Sequence, residues 1–372
     1  MLCETVMGGE LRSRRIERLF RRQETGRVGN NYRAGCDGER FASRRCLHDK
    51  GRCERRETPR LATAALAGLN ADLMFHAAKQ DRSMEGNKMR VVRVGERGEE
   101  RPGVLVDENT YVDLSSHYPE VDGRFFAELS EGAIGRLVES GEIDRTPLGS
   151  ERWGPPIPRP QKIICIGLNY ADHAAESGMP IPKEPVVFFK APNTLVGPND
   201  DIFIPRQSTK TDWEVELGVV IGSECRYLES EDDAVAAIAG YVMSNDVSER
   251  EFQLERGGQW VKGKSCETFN PCGPWLATAD ELRDVRNLDM WLDVNGVRKQ
   301  NGSTSKMIFS PSYLIWYLSQ FMVLEPGDLI NTGTPPGVGL GKNPQEFLRA
   351  GDRVSLGIEG LGAQASMVSA AP

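Results

Sequence analysis

Glu214 and Glu216 stand two residues apart in Thr211-Asp212-Trp213-Glu214-Val215-Glu216-Leu217-Gly218-Val219-Val220-Ile221, a run whose alternation and β-branching predict a strand. Residues two apart on a strand share a face. The two carboxylates then point the same way with Cα atoms about 6–7 Å apart, and Trp213, Val215 and Leu217 point to the opposite, apolar side. If their face is solvated they are ordinary surface charge; the apolar flanks favour burial, and a buried acidic pair needs a cation. Asp246 offers a third carboxylate in Val242-Met243-Ser244-Asn245-Asp246-Val247-Ser248, where a strand is expected to end. Three hard oxygen donors without a nearby His or Cys pair favour Mg²⁺, Mn²⁺ or Ca²⁺ over zinc and leave coordination positions open to water and substrate.

A second candidate lies in Gly167-Leu168-Asn169-Tyr170-Ala171-Asp172-His173-Ala174-Ala175-Glu176-Ser177-Gly178, which reads as a strand end, a turn and a brief helix. His173 and Glu176 share one face of such a helix, so Glu176 can orient His173 and raise its basicity toward water. A surface ion pair has the same spacing. Scarcity favours chemistry, because only His117 and His173 follow residue 88 and only His173 lies in a turn-rich segment. Lys190, after the apolar Val186-Val187-Phe188-Phe189, and Lys264, in Gly263-Lys264-Ser265, are placed to meet a carboxylate or an enolate oxygen. Either could equally be a surface lysine, as most are.

Asn331-Thr332-Gly333-Thr334-Pro335-Pro336-Gly337-Val338-Gly339-Leu340-Gly341-Lys342 invites a nucleotide reading and fails it. Pro336 stands where the first glycine of a phosphate loop belongs, and Asn343 where Ser or Thr should follow Lys342. A tight loop presenting Thr334 and backbone N–H groups to an anionic ligand is more economical. Cys46, His48 and Cys53 match no standard zinc spacing.

The elements that must position these residues are mostly strands. Short runs at Lys162 to Gly167, Pro185 to Phe189, Asp201 to Ile204, Ala239 to Asn245, Leu288 to Asn295 and Asp352 to Ile358 alternate with Gly- and Pro-rich turns. Helical periodicity is confined to Asp172 to Ser177, Glu231 to Ile238 and Pro311 to Phe321. The expectation is a β-rich α+β domain over 161–370, not a repeating βαβ sheet. Upstream, strands at 90–94, 102–106 and 110–114 and a helix around Phe125 to Ser140 predict a small N-terminal antiparallel domain over 89–155, joined by a stiff linker at Pro155, Pro156, Pro158 and Pro160.

Composition sets the frame. With 39% apolar residues in 372, the chain can bury one large core and a smaller unit beside it. The longest apolar candidate, Leu61 to Ala78, is broken by Asn70 and Asp72 and falls short of a membrane span. Residues 1–83 carry sixteen Arg and two Lys against eleven acids, a balance of +7 that leaves −15 for the remainder of a chain at −8. Residues 1–60 show no sustained periodicity and are expected to be disordered. A basic helix at Leu11 to Arg22 suggests three roles: a targeting peptide, opposed by Glu4, Glu10, Glu17 and Glu24; a nucleic-acid arm, against which a solvated tail is the commoner outcome; or, the favoured reading, no native role, residues 1–88 being an extension upstream of a start at Met84 or Met89. Eight cysteines without a disulfide spacing, and no secretory segment, point to a soluble cytoplasmic protein with reduced thiols.

Four segments together, Asp212-Trp213-Glu214-Val215-Glu216-Leu217-Gly218, Asn245-Asp246-Val247-Ser248-Glu249-Arg250, Gly263-Lys264-Ser265 and Thr332-Gly333-Thr334-Pro335, resemble the fumarylacetoacetate hydrolase family, in order and across residues 161–370. The resemblance implies a mixed β-roll, a homodimer, and Mg²⁺ or Mn²⁺ on Glu214, Glu216 and Asp246. It implies His173 and Glu176 as the water-activating pair, Lys264 as oxyanion stabiliser, and Tyr170, Lys190, Arg250, Gln253 and Thr334 as substrate contacts. The founding enzyme draws its His partner from elsewhere in the chain, whereas Glu176 fits the shorter, acylpyruvase-like arrangement. The run Glu249 to Trp260 is similar to the branch that hydrolyses 2,4-didehydro-3-deoxy sugar acids, and homologues of that kind are also labelled ureidoglycolate lyases. The implied substrate is a small 2,4-dioxo acid cleaved to pyruvate, with isomerisation of 2-hydroxyhepta-2,4-diene-1,7-dioate or decarboxylation of oxaloacetate as alternatives on the same site.

Overall fold

Residues 88–372, except Ser177, Met179 and Arg283, are described by a computed structural model, and all belong to the second of two units into which the chain divides, Ala62–Pro372. The expectations for residues 1–83, including the basic helix, the alternative starts and the Cys46, His48 and Cys53 group, lie outside the described residues. Among the described residues no helix is long and apolar enough to cross a membrane.

The β-branched runs form two large sheets. The first has ten strands, in the order Arg145–Pro147, Thr110–Asp113, Arg101–Leu105, Arg90–Val94, Leu276–Thr278, Ile238–Asn245, Val215–Ile221, Leu329–Asn331, Ile163–Gly167 and Val186–Lys190. It is mixed, since Leu329–Asn331 runs parallel to Ile163–Gly167 and the other neighbours are antiparallel. The second has five, Val297–Ser303, Asp289–Val294, Arg353–Ile358, Gly362–Ala370 and Ile202–Ile204, with a parallel pair at its end. Helices are short additions, as the sequence predicts.

Apolar layers cover both faces of the ten-stranded sheet, which is why every residue of Val215–Ile221 is buried. Trp213, Val215, Leu217 and Val219 join Met243, Met290, Leu292 and Leu314 in one core. Val220 and Val242 turn to the other, with Phe125, Phe126 and Leu276. Each such side chain contributes about 1.5–3 kcal/mol of burial, so the strands that carry the acidic residues are held firmly from both sides.

Three expectations change. The N-terminal strands do not close a sheet of their own, because Arg90–Val94 pairs with Leu276–Thr278 and extends the large sheet. The helix around Phe125 to Ser140 is two, Gly123–Ser130 and Ala133–Ser140, broken where Gly132 adopts a left-handed φ of 70°. The proline segment is no free linker: Pro155, Pro156 and Ile157 are buried, and the Pro155 carbonyl accepts from Arg93.

Candidate active site

The run from Thr211 to Ile221 is interrupted at Trp213 and Glu214, leaving strands Thr211–Asp212 and Val215–Ile221. Side chains take over from the ladder there: the Glu214 and Val215 N–H groups donate to Asn245 Oδ1 at 3.1 Å and Gln300 Oε1 at 2.9 Å. The neighbouring strand pairs Asn245 with Val215 and Ser244 with Glu216. That register sets Asp246, just past the strand end, beside Glu214, whose carbonyl accepts the Asp246 N–H at 2.9 Å. Carboxylate oxygens of Glu214, Glu216 and Asp246 lie within 4.8 Å of one another, and all three residues are buried.

Three cations take both oxygens of Glu214 and both of Asp246. Lys264 Nζ donates to Glu214 Oε2 and Asp246 Oδ2, both at 2.7 Å. Lys190 Nζ donates to Asp246 Oδ1 at 2.5 Å and to the Val247 carbonyl at 3.0 Å. Arg250 bridges Asp212 Oδ2 at 2.8 Å and Glu214 Oε1 at 2.6 Å, and reaches Gln253 Oε1 at 3.0 Å. Burial alone would raise the Glu214 carboxyl, but Lys264 and Arg250 outweigh it and hold it down at about 2. Burial likewise opposes the charge on Lys264, and Asp246 and Glu214 overcome it and raise the ammonium above its usual range.

Glu216 stands apart. Its Oε2 accepts the Gly333 N–H at 2.8 Å, and no cationic side chain pairs with it among the described residues. Burial, then the charges of Asp246 and Glu214, push its carboxyl well above the usual range. The donor set fits a hard dication: three convergent carboxylates, one short of counter-charge, with Glu214 and Glu216 on the wall of a cavity.

That cavity, of about 450 Å³, is also lined by His173, Glu176, Arg250, Gln253, Lys264 and Thr334. His173 sits on the short helix Ala171–Glu176, its Nδ1 3.2 Å from Glu176 Oε2. Glu176 is itself fixed, both oxygens accepting the Gly337 N–H at 3.1 Å. Gly337 has φ of 108°, a conformation that favours glycine, and a Cβ there would stand 2.1 Å from the Lys299 carbonyl oxygen.

Of the candidates, Asp246, Tyr170 and Lys190 do not line the cavity, and Asp246 belongs to the acidic cluster beside it. Tyr170, expected at the substrate, is wholly buried with its hydroxyl 3.2 Å from the Met290 sulfur, and it does not line the cavity. Lys190 is buried behind Asp246, where it holds that carboxylate rather than facing a ligand. The loop at 331–342 also differs. Its N–H groups meet the protein's own anions, Gly333 on Glu216, Gly337 on Glu176, and Gly339 and Leu340 on Asp212 at 2.7 and 3.0 Å. Thr334 Oγ1 is engaged as well, donating to the Val215 carbonyl and accepting from Gln300. Asp212 is the organiser that sequence reading passed over: it anchors Arg250 and the loop together, and its place beside the two glutamates was the available signal.

Residues 162–369 match the family described as fumarylacetoacetate (FAA) hydrolase C-terminal. A protein of Burkholderia multivorans, named only as a hydrolase, is 53% identical over 286 residues, 76% of this chain and 100% of the relative. Among solved structures, the 2-hydroxyhepta-2,4-diene-1,7-dioate isomerase of Mycobacterium marinum superposes with a TM-score of 0.60 at 32% identity, over 76% of this chain and 98% of its own. The maleylpyruvate hydrolase of Sphingobium sp. SYK-6, in complex with manganese(II) and pyruvate, gives 0.63 at 27% identity, over 76% and 100%. By sequence and by fold, the chain belongs to the fumarylacetoacetate hydrolase family.

Proposed function

We propose that the protein is a divalent-metal-dependent hydrolase that cleaves the C3–C4 bond of a small 2,4-dioxo acid, an acylpyruvate or a 2,4-didehydro-3-deoxy sugar acid, to pyruvate and a carboxylic acid. The observation that carries this reading is the convergence of Glu214, Glu216 and Asp246, the two glutamates lining a cavity whose wall also presents His173 and Glu176. The related hydrolase that holds manganese(II) and pyruvate supports it.

Glu214, Glu216 and Asp246 would hold Mg²⁺ or Mn²⁺, with Ca²⁺ also compatible with the oxygen donors; the ion supplies a template and Lewis acid for the keto-acid head. His173, oriented by Glu176, takes a proton from water, and the water oxygen bonds to C4 of the substrate. The C3–C4 bond breaks, its electron pair remaining on the pyruvate fragment as the enolate while C4 leaves as the new carboxylate. Lys264 offsets the developing negative charge from 2.7 Å behind Glu214 and Asp246. A proton returned to C3 completes pyruvate.

The isomerase among the related structures favours a second reading, in which the same site moves a proton on an enolate and breaks no C–C bond. Product analysis separates the two, as it separates the decarboxylation of oxaloacetate and the cleavage of ureidoglycolate. A panel of 2,4-dioxo acids is incubated with Mg²⁺ or Mn²⁺ in ¹⁸O-water. Pyruvate with one solvent oxygen in the partner acid is expected; products of unchanged mass would replace hydrolysis with isomerisation, and CO₂ release with decarboxylation. A homodimer in the cytoplasm is the setting proposed for this activity.

A further inference from the structure

The cavity wall is mixed in chemistry. Glu214, Glu216, His173 and Glu176 stand on it with Gln253, Gln345 and Thr334. Leu168, Phe188, Leu254, Trp260, Val338 and Leu340 supply its apolar part. Trp260 is fixed in place: its ring packs on the backbone of Gly167, where a Cβ would stand 2.9 Å from Cζ3, and it meets Phe188 edge-on at 5.3 Å and 66°. Leu168 is held at φ of 53°, which a leucine rarely adopts, and such strain gathers at ligand sites. Leu254 is 44% exposed, so this apolar surface opens to the entering molecule.

The apolar end carries no spare positive charge. Among the described residues the lysine and arginine on the wall are Lys264 and Arg250. Lys264 is taken up by Glu214 and Asp246, and Arg250 by Asp212 and Glu214. A ligand carboxylate beside Trp260 and Leu254 would lose its water and gain no free cation, because Lys264, 5.1 Å over the Phe188 ring, is held by Glu214 and Asp246.

We infer that the acyl end of the site selects an uncharged apolar group, alkyl or aryl, and rejects substituents that end in a second carboxylate. The inference rests on the proposed function in one respect, that the keto-acid head occupies the charged end. Within that reading it favours acylpyruvates with an alkyl or aryl acyl group over dicarboxylates.

Binding and turnover are measured separately on the Mg²⁺-loaded protein. By calorimetry, pyruvate, 2-oxobutanoate, 2-oxopentanoate and 2-oxohexanoate are expected to tighten about fourfold per methylene, and 2-oxoadipate to bind at least about tenfold more weakly than 2-oxohexanoate of the same chain length. Trp260→Ala should flatten the ladder. Leu254→Lys, at a half-exposed position that tolerates charge, should raise the affinity for 2-oxoadipate and lower that for 2-oxohexanoate. Equal or tighter binding of 2-oxoadipate to the unaltered protein overturns the inference, as does a series without a ladder. In turnover, kcat/KM should rise from acetylpyruvate to hexanoylpyruvate and fall for the carboxylate-ended congener. A ladder in binding with no pyruvate released from any acylpyruvate keeps the apolar end and removes the hydrolase reading. Equal turnover of the carboxylate-ended substrate keeps hydrolysis and removes the apolar selection. Failure of every 2-oxo acid to bind removes both.

Discussion

Glu100, half-buried with a shielded side chain, and Glu216, buried outright, are both acids withdrawn from water, and the protein treats them in opposite ways. Glu100 is met by Arg152 at 2.8 Å and Arg93 at 3.6 Å, in a network that also takes in Glu120 and Asp200 and ties the N-terminal strands to the turn at 197–200. Burial would raise its carboxyl, but the Arg152 hydrogen bond and the nearby Arg93 charge lower it below the ordinary value. Glu216 is surrounded by Asp246 and Glu214 with no paired cation among the described residues, and it is raised. Burial of a carboxylate is thus no sign of function by itself. The missing counter-charge is the sign, because a fold that only needed stability would pair or delete the group.

The sharpest way to break this comparison is to neutralise each acid at constant shape, beginning with Glu216. Glu216→Gln should weaken Mn²⁺ binding at least about a hundredfold, since even partners one step outside a metal site cost about 10–100-fold, and pyruvate release should fall with it. Its metal-free melting temperature should not drop, because no cation loses a partner. Unchanged Mn²⁺ affinity in a calorimeter would mean that the triad is not the site.

Next in size is His173→Ala, where turnover should fall about 10²–10⁴-fold with Mn²⁺ affinity intact. Turnover at the unaltered rate would remove His173 as the base. Glu176→Gln acts through His173 and should lower kcat about 10–100-fold, by analogy with partners that orient a metal's histidine, and leave KM unchanged. A change confined to KM would assign Glu176 to substrate binding instead.

The triad and the His173 pair were legible because strand and helix periodicities convert spacing into shared faces, and the apolar flanks of Glu214 and Glu216 disclosed burial. The β-rich class followed from the same short runs. What stayed hidden depends on contacts distant in sequence. Nothing near Tyr170 says that its hydroxyl faces Met290, and nothing near Lys190 says that Asp246, fifty-six residues on, takes its ammonium. The loop at 331–342 advertised free N–H groups, but which anions they meet is set by Asp212 and Glu176, on two other segments. The apolar end escaped notice for a similar reason, since Phe188 and Trp260 meet only through the packing at Gly167.

The smallest effect belongs to the other acid. Glu100→Gln keeps an acceptor for Arg152 but removes the charge, so it should cost about 1–3 kcal/mol of stability in urea, the usual range for a disrupted buried charge-assisted hydrogen bond, with turnover unchanged. The sign of its pH dependence follows from the lowered folded value. An acid with an unfolded value of 4.5 and a lower folded one contributes fully above pH 4.5, and loses that contribution as pH falls through the folded value. The gap between the original protein and Glu100→Gln should therefore be widest near neutrality and close toward acid. A gap that persists below the folded value would trace the loss to packing around Arg93 and Arg152 rather than to charge, and the contrast with Glu216 would then be one of shape, not of counter-charge.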